Sequence, residues 1–214
     1  MALSNRFKEM RTRLAELKRH MLPRQFSPTG DYTERQLDRA RGYRLLVHAE
    51  IESYLEDISR NKVTAAINAW KDGNKVSQTL VALLASYHSS WNVDDSTNHD
   101  EIIKLSKERK NLKESIEAVL KLAQKQFGSK VGNNHGIKQN NFKTIMLPTG
   151  LDLESIDDTW LANLDSFGSL RGDIAHKTSK ATKQINPQDE YKNVQGLLVG
   201  LEELDHKVNA LRIG

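Results

Sequence analysis

The stretch TERQLDRARGYRLLVHAEIESYLEDI, residues 33–58, decides the fold. Thr33 followed by Gln36 has the form of a capping box, in which each side chain satisfies a backbone N–H of the other at a helix start. Behind it Leu37, Ala40, Leu46, Val47, Ile51, Tyr54, Leu55 and Ile58 recur at helical spacing, which predicts one long helix running on toward Gly73. His48, Glu50 and Glu52 lie within it, but without a second histidine four residues away they lack metal-ligand spacing. They are expected to form a satisfied or exposed polar face.

On the C-terminal side, Val76, Leu80, Leu83, Leu84 and Tyr87 predict a short apolar helix over residues 75–91, broken by the polar run Asn92 to Asn98. A further amphipathic pattern extends from about Asp100 to Phe127, with Gly128 as its expected stop. The turn-rich Gly132-Asn133-Asn134-His135-Gly136 reads as an ordered connector, followed by a short segment from Asn141 to Leu147 and a break at Pro148 and Gly150. Leu161, Leu164, Phe167 and Leu170 predict a helix beginning near Asp157 to Thr159. Asn186-Pro187 supplies an N-cap and a first-turn proline for a last helix carrying Tyr191, Val194, Leu197, Leu198, Leu201, Leu204, Val208 and Leu211.

On the N-terminal side, Leu3, Phe7, Met10, Leu14, Leu17 and Met21 step by four and three on one helical stripe, which Pro23 and Pro28 end. Residues 1–30 hold seven lysines and arginines against two glutamates, so they carry the chain's net charge of +4 and the remainder is near neutral. The expected organisation is a basic amphipathic helix or arm over 1–30 and a helical bundle over 31–214. The helix docks on the body or on a partner, or its basic face meets RNA.

Composition agrees with an all-α reading: of 214 residues only four are proline, few are aromatic, and none is cysteine. The absence of cysteine excludes disulfides, thiolate zinc sites and a cysteine nucleophile, and it suits the cytoplasm. There is no signal-peptide core and no apolar run of bilayer length, so neither secretion nor a membrane association is expected.

The chemistry is concentrated in Arg171-Gly172-Asp173-Ile174-Ala175-His176, on the last turns of the penultimate helix. Arginine forks onto a phosphate and never loses its charge, while histidine takes and gives a proton near neutrality. In such a pair His176 removes the proton of a ribose 2′-hydroxyl, the oxygen attacks the adjacent phosphorus, and Arg171 holds the phosphate oxygens. The products are a 2′,3′-cyclic phosphate and a 5′-hydroxyl, with no metal or other cofactor required, and DNA resists.

Positions five apart on an ideal helix stand roughly 140° apart around it and about 7.5 Å along it. Arg171 and His176 therefore need either a loosening of the helix at Gly172, ending near His176, or a second copy of the motif across a two-fold axis, and both are expected here. The small Gly172 and Ala175 suit close approach of that second backbone. Asp173 is a supporting residue, orienting the imidazole, holding Arg171, or simply solvated. Lys177, Lys180 and Lys183 follow as RNA contacts, and Asn134 and His135 are candidates to line the cleft or merely to shape their loop.

With these stretches the chain resembles the HEPN superfamily, small helical bundles marked by an Arg-x4-6-His motif, and looks nearest its RiboL-PSP-like branch. The residues carrying the resemblance are Leu45 to Asp57, Asn133 to Lys138, and Asp165 to Lys177. It implies a homodimer whose two motifs meet in one cleft. It also implies a metal-independent endoribonuclease of toxin–antitoxin, abortive-infection or other antiviral systems, with RNA as substrate and an antitoxin or defence protein as partner. Arg171 and His176 fall on the family's functional pair. Two positions depart from it: the residue after the arginine, usually polar, is Gly172, and a tyrosine that some toxins carry two residues after the histidine is Thr178. The competing readings are a dimer that binds RNA or protein without cutting, and a silent component of a larger defence complex.

Overall fold

Ser4 starts the first helix, α1 (Asn5–Met21), by accepting the Phe7 N–H on its hydroxyl at 3.0 Å, and the basic Lys18, Arg19 and His20 close it where the helix dipole is negative. The computed structural model describes residues 2–87, 112–176 and 185–213, with backbone alone at 112–115 and 172–176. Phe7, Met10, Leu14 and Leu17 of α1 are buried against the second helix and belong to the same core as the rest of the chain.

That second helix, α2 (Glu34–Gly73), is 40 residues long, or about 60 Å at the usual rise. Its capping box forms as the sequence predicts, with Thr33 N–H donating to Gln36 Oε1 at 2.9 Å and Gln36 N–H to Thr33 Oγ1 at 3.3 Å. It ends at Asn74 in the left-handed region, at φ 51°. The remaining helices are α3 (Gln78–Ser86), α4 (Leu112–Gly132), α5 (Gln139–Met146), α6 (Asp158–His176) and α7 (Pro187–Ala210), with 3-10 turns at Leu147–Thr149 and Leu153–Ser155. The fold is all-α: among the described residues there are seven α-helices and no strand.

Helix α7 runs parallel to α2, since Arg44 meets Glu190 near the start of both and Tyr54 meets Asp205 farther along. Helix α6 lies antiparallel to α7. Asp205 pins three elements together, accepting from Ser4 N (2.8 Å), Ser4 Oγ (2.6 Å) and Tyr54 Oη (3.0 Å). Burial, reinforced by the Asp205 carboxylate, pushes the Tyr54 hydroxyl far above its ordinary pKa, so it stays a donor.

Several sequence expectations are corrected. Leu46 and Val76 fit the apolar periodicities but stand 42% and 62% exposed. Helix α4 passes Gly128 and ends at Gly132, because Phe127 and Val131 are both buried and reward the extra turn beyond the glycine's cost of about 1 kcal/mol. His48 is not on an open polar face: it is 1% exposed, with Glu52 Oε2 3.5 Å from a Nδ1 that makes no hydrogen bond among the described residues. The polar run Asn92 to Asn98 and the expected helix start near Asp100 lie outside the described residues. No helix among the described residues is long and apolar enough to cross a membrane.

Candidate functional site

Helix α6 carries the Arg171–His176 motif and is fixed on two sides. Asp157 opens it by accepting Trp160 N–H at 2.6 Å. Trp160 then wedges against α7, where its indole Nε1–H donates to Leu197 O at 3.1 Å and its ring meets Phe142 edge-on at 5.7 Å. Gly200 is what lets the indole in, since a Cβ there would lie 2.3 Å from two of its ring atoms. On the other side Gly168 packs onto the connector, with room for no Cβ nearer than 3.2 Å to Ile137 and Lys138. One turn earlier Asp165 accepts the Gln139 N–H at 2.9 Å and so satisfies the first turn of α5.

The inward-facing stripe of α6 is Trp160, Leu161, Leu164, Phe167 and Gly168, all buried. The next position on that stripe is Arg171, which is half-buried. A charged head continuing an apolar stripe is the least expected residue there on hydrophobic grounds. The helix remains regular through Gly172 to His176, so the expected loosening at Gly172 does not occur. Helical register then separates positions 171 and 176 by roughly 140°, while position 173 lies about 60° from 176 and about 160° from 171. Register thus pairs Asp173 with His176 rather than with Arg171. Lys177, Lys180, Lys183 and Thr178 lie outside the described residues.

Asn134 is buried, and its bonds are structural. Its Nδ2 donates to Glu56 Oε1 at 3.1 Å and to Gly136 O at 3.0 Å, and its Oδ1 accepts from Asn141 Nδ2 at 2.9 Å. It therefore ties the connector to α2 and α5. Its neighbour His135 is exposed and stands apart from that knot. Among the described residues no group of three or more histidines and carboxylates is gathered as a metal site.

Sequence reading missed Arg44 and Glu190, which lie 146 positions apart and carry no local signal. Both are buried, and they pair bidentately through Arg44 Nε to Oε2 (2.5 Å) and Nη2 to Oε1 (2.7 Å). The guanidinium also sits 4.7 Å over the Phe167 ring. Burial raises the Glu190 pKa, and the arginine only partly counters it. Arg44 and Phe167 line a groove of about 260 Å³ between α6 and α7, walled by Asn163, Ser166, Lys192 and Asn193 and reaching Leu170.

A family model described as RiboL-PSP-HEPN matches residues 8–210, from the first turn of α1 to the last residue of α7. No curated protein and no solved structure matches the chain. HEPN domains are helical and often ribonucleases, which fits both the bundle and the arginine–histidine motif carried on α6. Because the match spans nearly the whole length, the chain belongs to the RiboL-PSP-HEPN family.

Proposed function

We propose that this protein is a metal-independent endoribonuclease that acts as a homodimer, with Arg171 and His176 of two copies facing one phosphodiester. The observation that carries this reading is the uninterrupted helix across Gly172, which keeps Arg171 on the inward stripe and position 176 well around the helix from it. On this register one copy alone turns the two positions apart, and a two-fold axis through the small Gly172 and Ala175 would set them around one phosphate.

In the composite site one His176 takes the 2′-hydroxyl proton, and the resulting alkoxide attacks phosphorus. The partner's His176, entering protonated, gives its proton to the departing 5′-oxygen, so the bond formed is O2′–P and the bond broken is P–O5′. Both Arg171 side chains neutralise the charge that builds on the non-bridging oxygens. Asp173, on the His176 side of the helix, orients the imidazole, and Lys177, Lys180 and Lys183 hold flanking phosphates. The setting is a toxin or antiviral-defence effector in the cytoplasm, restrained by an antitoxin or another partner protein.

The test is cleavage of varied RNAs by purified protein in EDTA, with the product ends identified. Cyclic-phosphate and 5′-hydroxyl ends are expected from the wild type, and losses of about 10²- to 10⁴-fold from His176→Ala and from Arg171→Ala. Equal activity, or equal inertness, of wild type and His176→Ala overturns the proposal. Gly172, where the family usually has a polar residue, favours a second reading as a dimer that binds RNA without cutting it. RNA binding that weakens steeply with salt and yields no cleavage identifies that case.

A further inference from the structure

We propose that the end of the bundle where α1 finishes and α2 and α7 begin is a docking surface for the backbone of single-stranded RNA, separate from the cut phosphodiester. The choice of RNA as the polyanion rests on the ribonuclease reading. Contacts place four elements at this end. Met21 of α1 lies against α2, where a Cβ on Gly42 would stand 2.7 Å from its Cε. Lys18 Nζ is 5.5 Å from the ring centroid of Tyr191 near the start of α7, and Phe26 stacks on the same ring at 5.9 Å. Arg44 of α2 covers Phe167 of α6, four residues before Arg171.

Positive charge gathers here. Residues 18–44 hold seven lysines and arginines against three carboxylates, an excess of four that equals the net charge of the whole chain. Asp38 is spent on Arg41 at 2.5 Å, and the buried Arg44 on Glu190. Arg19, Arg24, Arg35 and Arg39 stand exposed, with Asp31 and Glu34 as the remaining carboxylates of the stretch. Around α2, positions 35 and 39 fall within roughly 20° and 60° of Gly42, on the face that α1 reaches. The opposite end, residues 56–75 and 200–212, holds six lysines and arginines against six carboxylates.

A basic amphipathic helix also binds anionic membranes, but by inserting its apolar face. Phe7, Met10, Leu14 and Leu17 already lie in the core, so α1 offers its charges alone. The half-buried Phe26–Tyr191 stack beside Lys18 adds aromatic surface among the cations. Cations with aromatic rings between them are what holds single-stranded nucleic acid, over about 4–16 nucleotides.

The experiment measures binding of a fluorescently labelled dinucleotide and of a single-stranded RNA of about 16 nucleotides, across a salt series, to the full chain in a His176→Ala background. The background is compared with Arg19→Ala/Arg35→Ala/Arg39→Ala at the basic end and with Lys71→Ala/Lys75→Ala/Arg212→Ala at the opposite end, with thermal melts as a check on folding. At about 0.7 in log–log salt slope per phosphate contact, the basic-end variant is expected to flatten the slope by about 2 and to lose about 100-fold in affinity at about 0.1 M salt. The opposite-end variant should match the background, and the dinucleotide should bind far more weakly than the long strand. If the triple basic-end variant does not fold, its single substitutions carry the test at about fivefold each.

No binding of the long strand, equal losses in the two variants, equal affinity for dinucleotide and long strand, or tighter binding to phosphatidylserine vesicles than to RNA each overturns the docking surface. Cleavage by the wild type in EDTA decides the ribonuclease reading separately. Basic-end binding without cleavage keeps the surface and overturns that reading, and the absence of both overturns both.

Discussion

Two glycines one turn apart on α7 should respond to alanine in opposite directions. Gly200 faces Trp160, and the added Cβ would sit 2.3 Å from indole Cδ1 and Nε1 and 2.5 Å from Cγ. Carbon atoms in contact prefer about 3.5–4.0 Å, so one partner must retreat by more than 1 Å. The indole is not free to do so: it is 7% exposed, bonded to Leu197 O and packed on Phe142. Overpacking of this kind costs about 1–3 kcal/mol, and losing the indole hydrogen bond adds about 1 kcal/mol. The better helix propensity of alanine returns about 1 kcal/mol, so Gly200→Ala is expected to lose about 2 kcal/mol net. Gly196→Ala meets open space and keeps only the propensity gain of about 1 kcal/mol. At about 2–4 °C per kcal/mol for a chain of this size, the two variants should melt about 6–12 °C apart, on opposite sides of the wild type. Thermal and urea unfolding followed by far-ultraviolet circular dichroism reads this directly. A Gly200→Ala protein that melts at or above the wild type would refute the close α6–α7 packing, and with it the fixed seat of the motif helix.

The buried Arg44–Glu190 pair predicts a double-mutant cycle: Arg44→Met or Glu190→Leu alone should cost about 3–5 kcal/mol in urea titrations, and the two together much less, because only the single variants strand a buried charge. Additive losses would contradict the pairing. Since burial raises the Glu190 pKa, the folded state binds that proton more readily than the unfolded chain. Its contribution is therefore full below the unfolded carboxylate pKa and declines as pH rises through the folded value. Replacing Glu190 by glutamine should flatten that part of the stability–pH curve, and an unchanged curve would rule the assignment out. Asn134→Ala removes bonds to Glu56, Gly136 and Asn141 and should lower stability by about 1–3 kcal/mol, while RNA cleavage persists at temperatures where the protein is folded. Loss of cleavage by a folded Asn134→Ala protein would instead give this residue a part in the chemistry.

What was legible in the sequence was local. The Thr33–Gln36 box, the Asn186-Pro187 start and the stripe of α1 each depend on residues within a turn or two of one another, and each is found where the pattern predicts it. Periodicity was less able to separate a core position from its flank, which is why Leu46 and Val76 read as core and are exposed. Nor does a glycine announce whether packing beyond it will outweigh its entropy cost, as Val131 does for Gly128. The groove was out of reach for a different reason: Arg44, Phe167 and Asn193 come from three helices, and only the antiparallel placement of α6 on α2 and α7 assembles them.

The same distinction explains why the motif could be read as a string but not as a site. Gly172 alone argues for a loosened helix, yet α6 is held by Trp160 in the Gly200 notch and by Gly168 and Asp165 on the connector, and it continues regularly past the glycine. A helix so anchored cannot unwind cheaply to turn position 176 toward Arg171. Its rigidity preserves the angular separation between them, and it is that separation which makes a second copy necessary on the ribonuclease reading. Small residues at 172 and 175 then acquire a purpose that a hinge would not give them: they thin the helix where two such helices would have to meet. On that reading, the stability of the single bundle and its need for a second copy follow from the same packing.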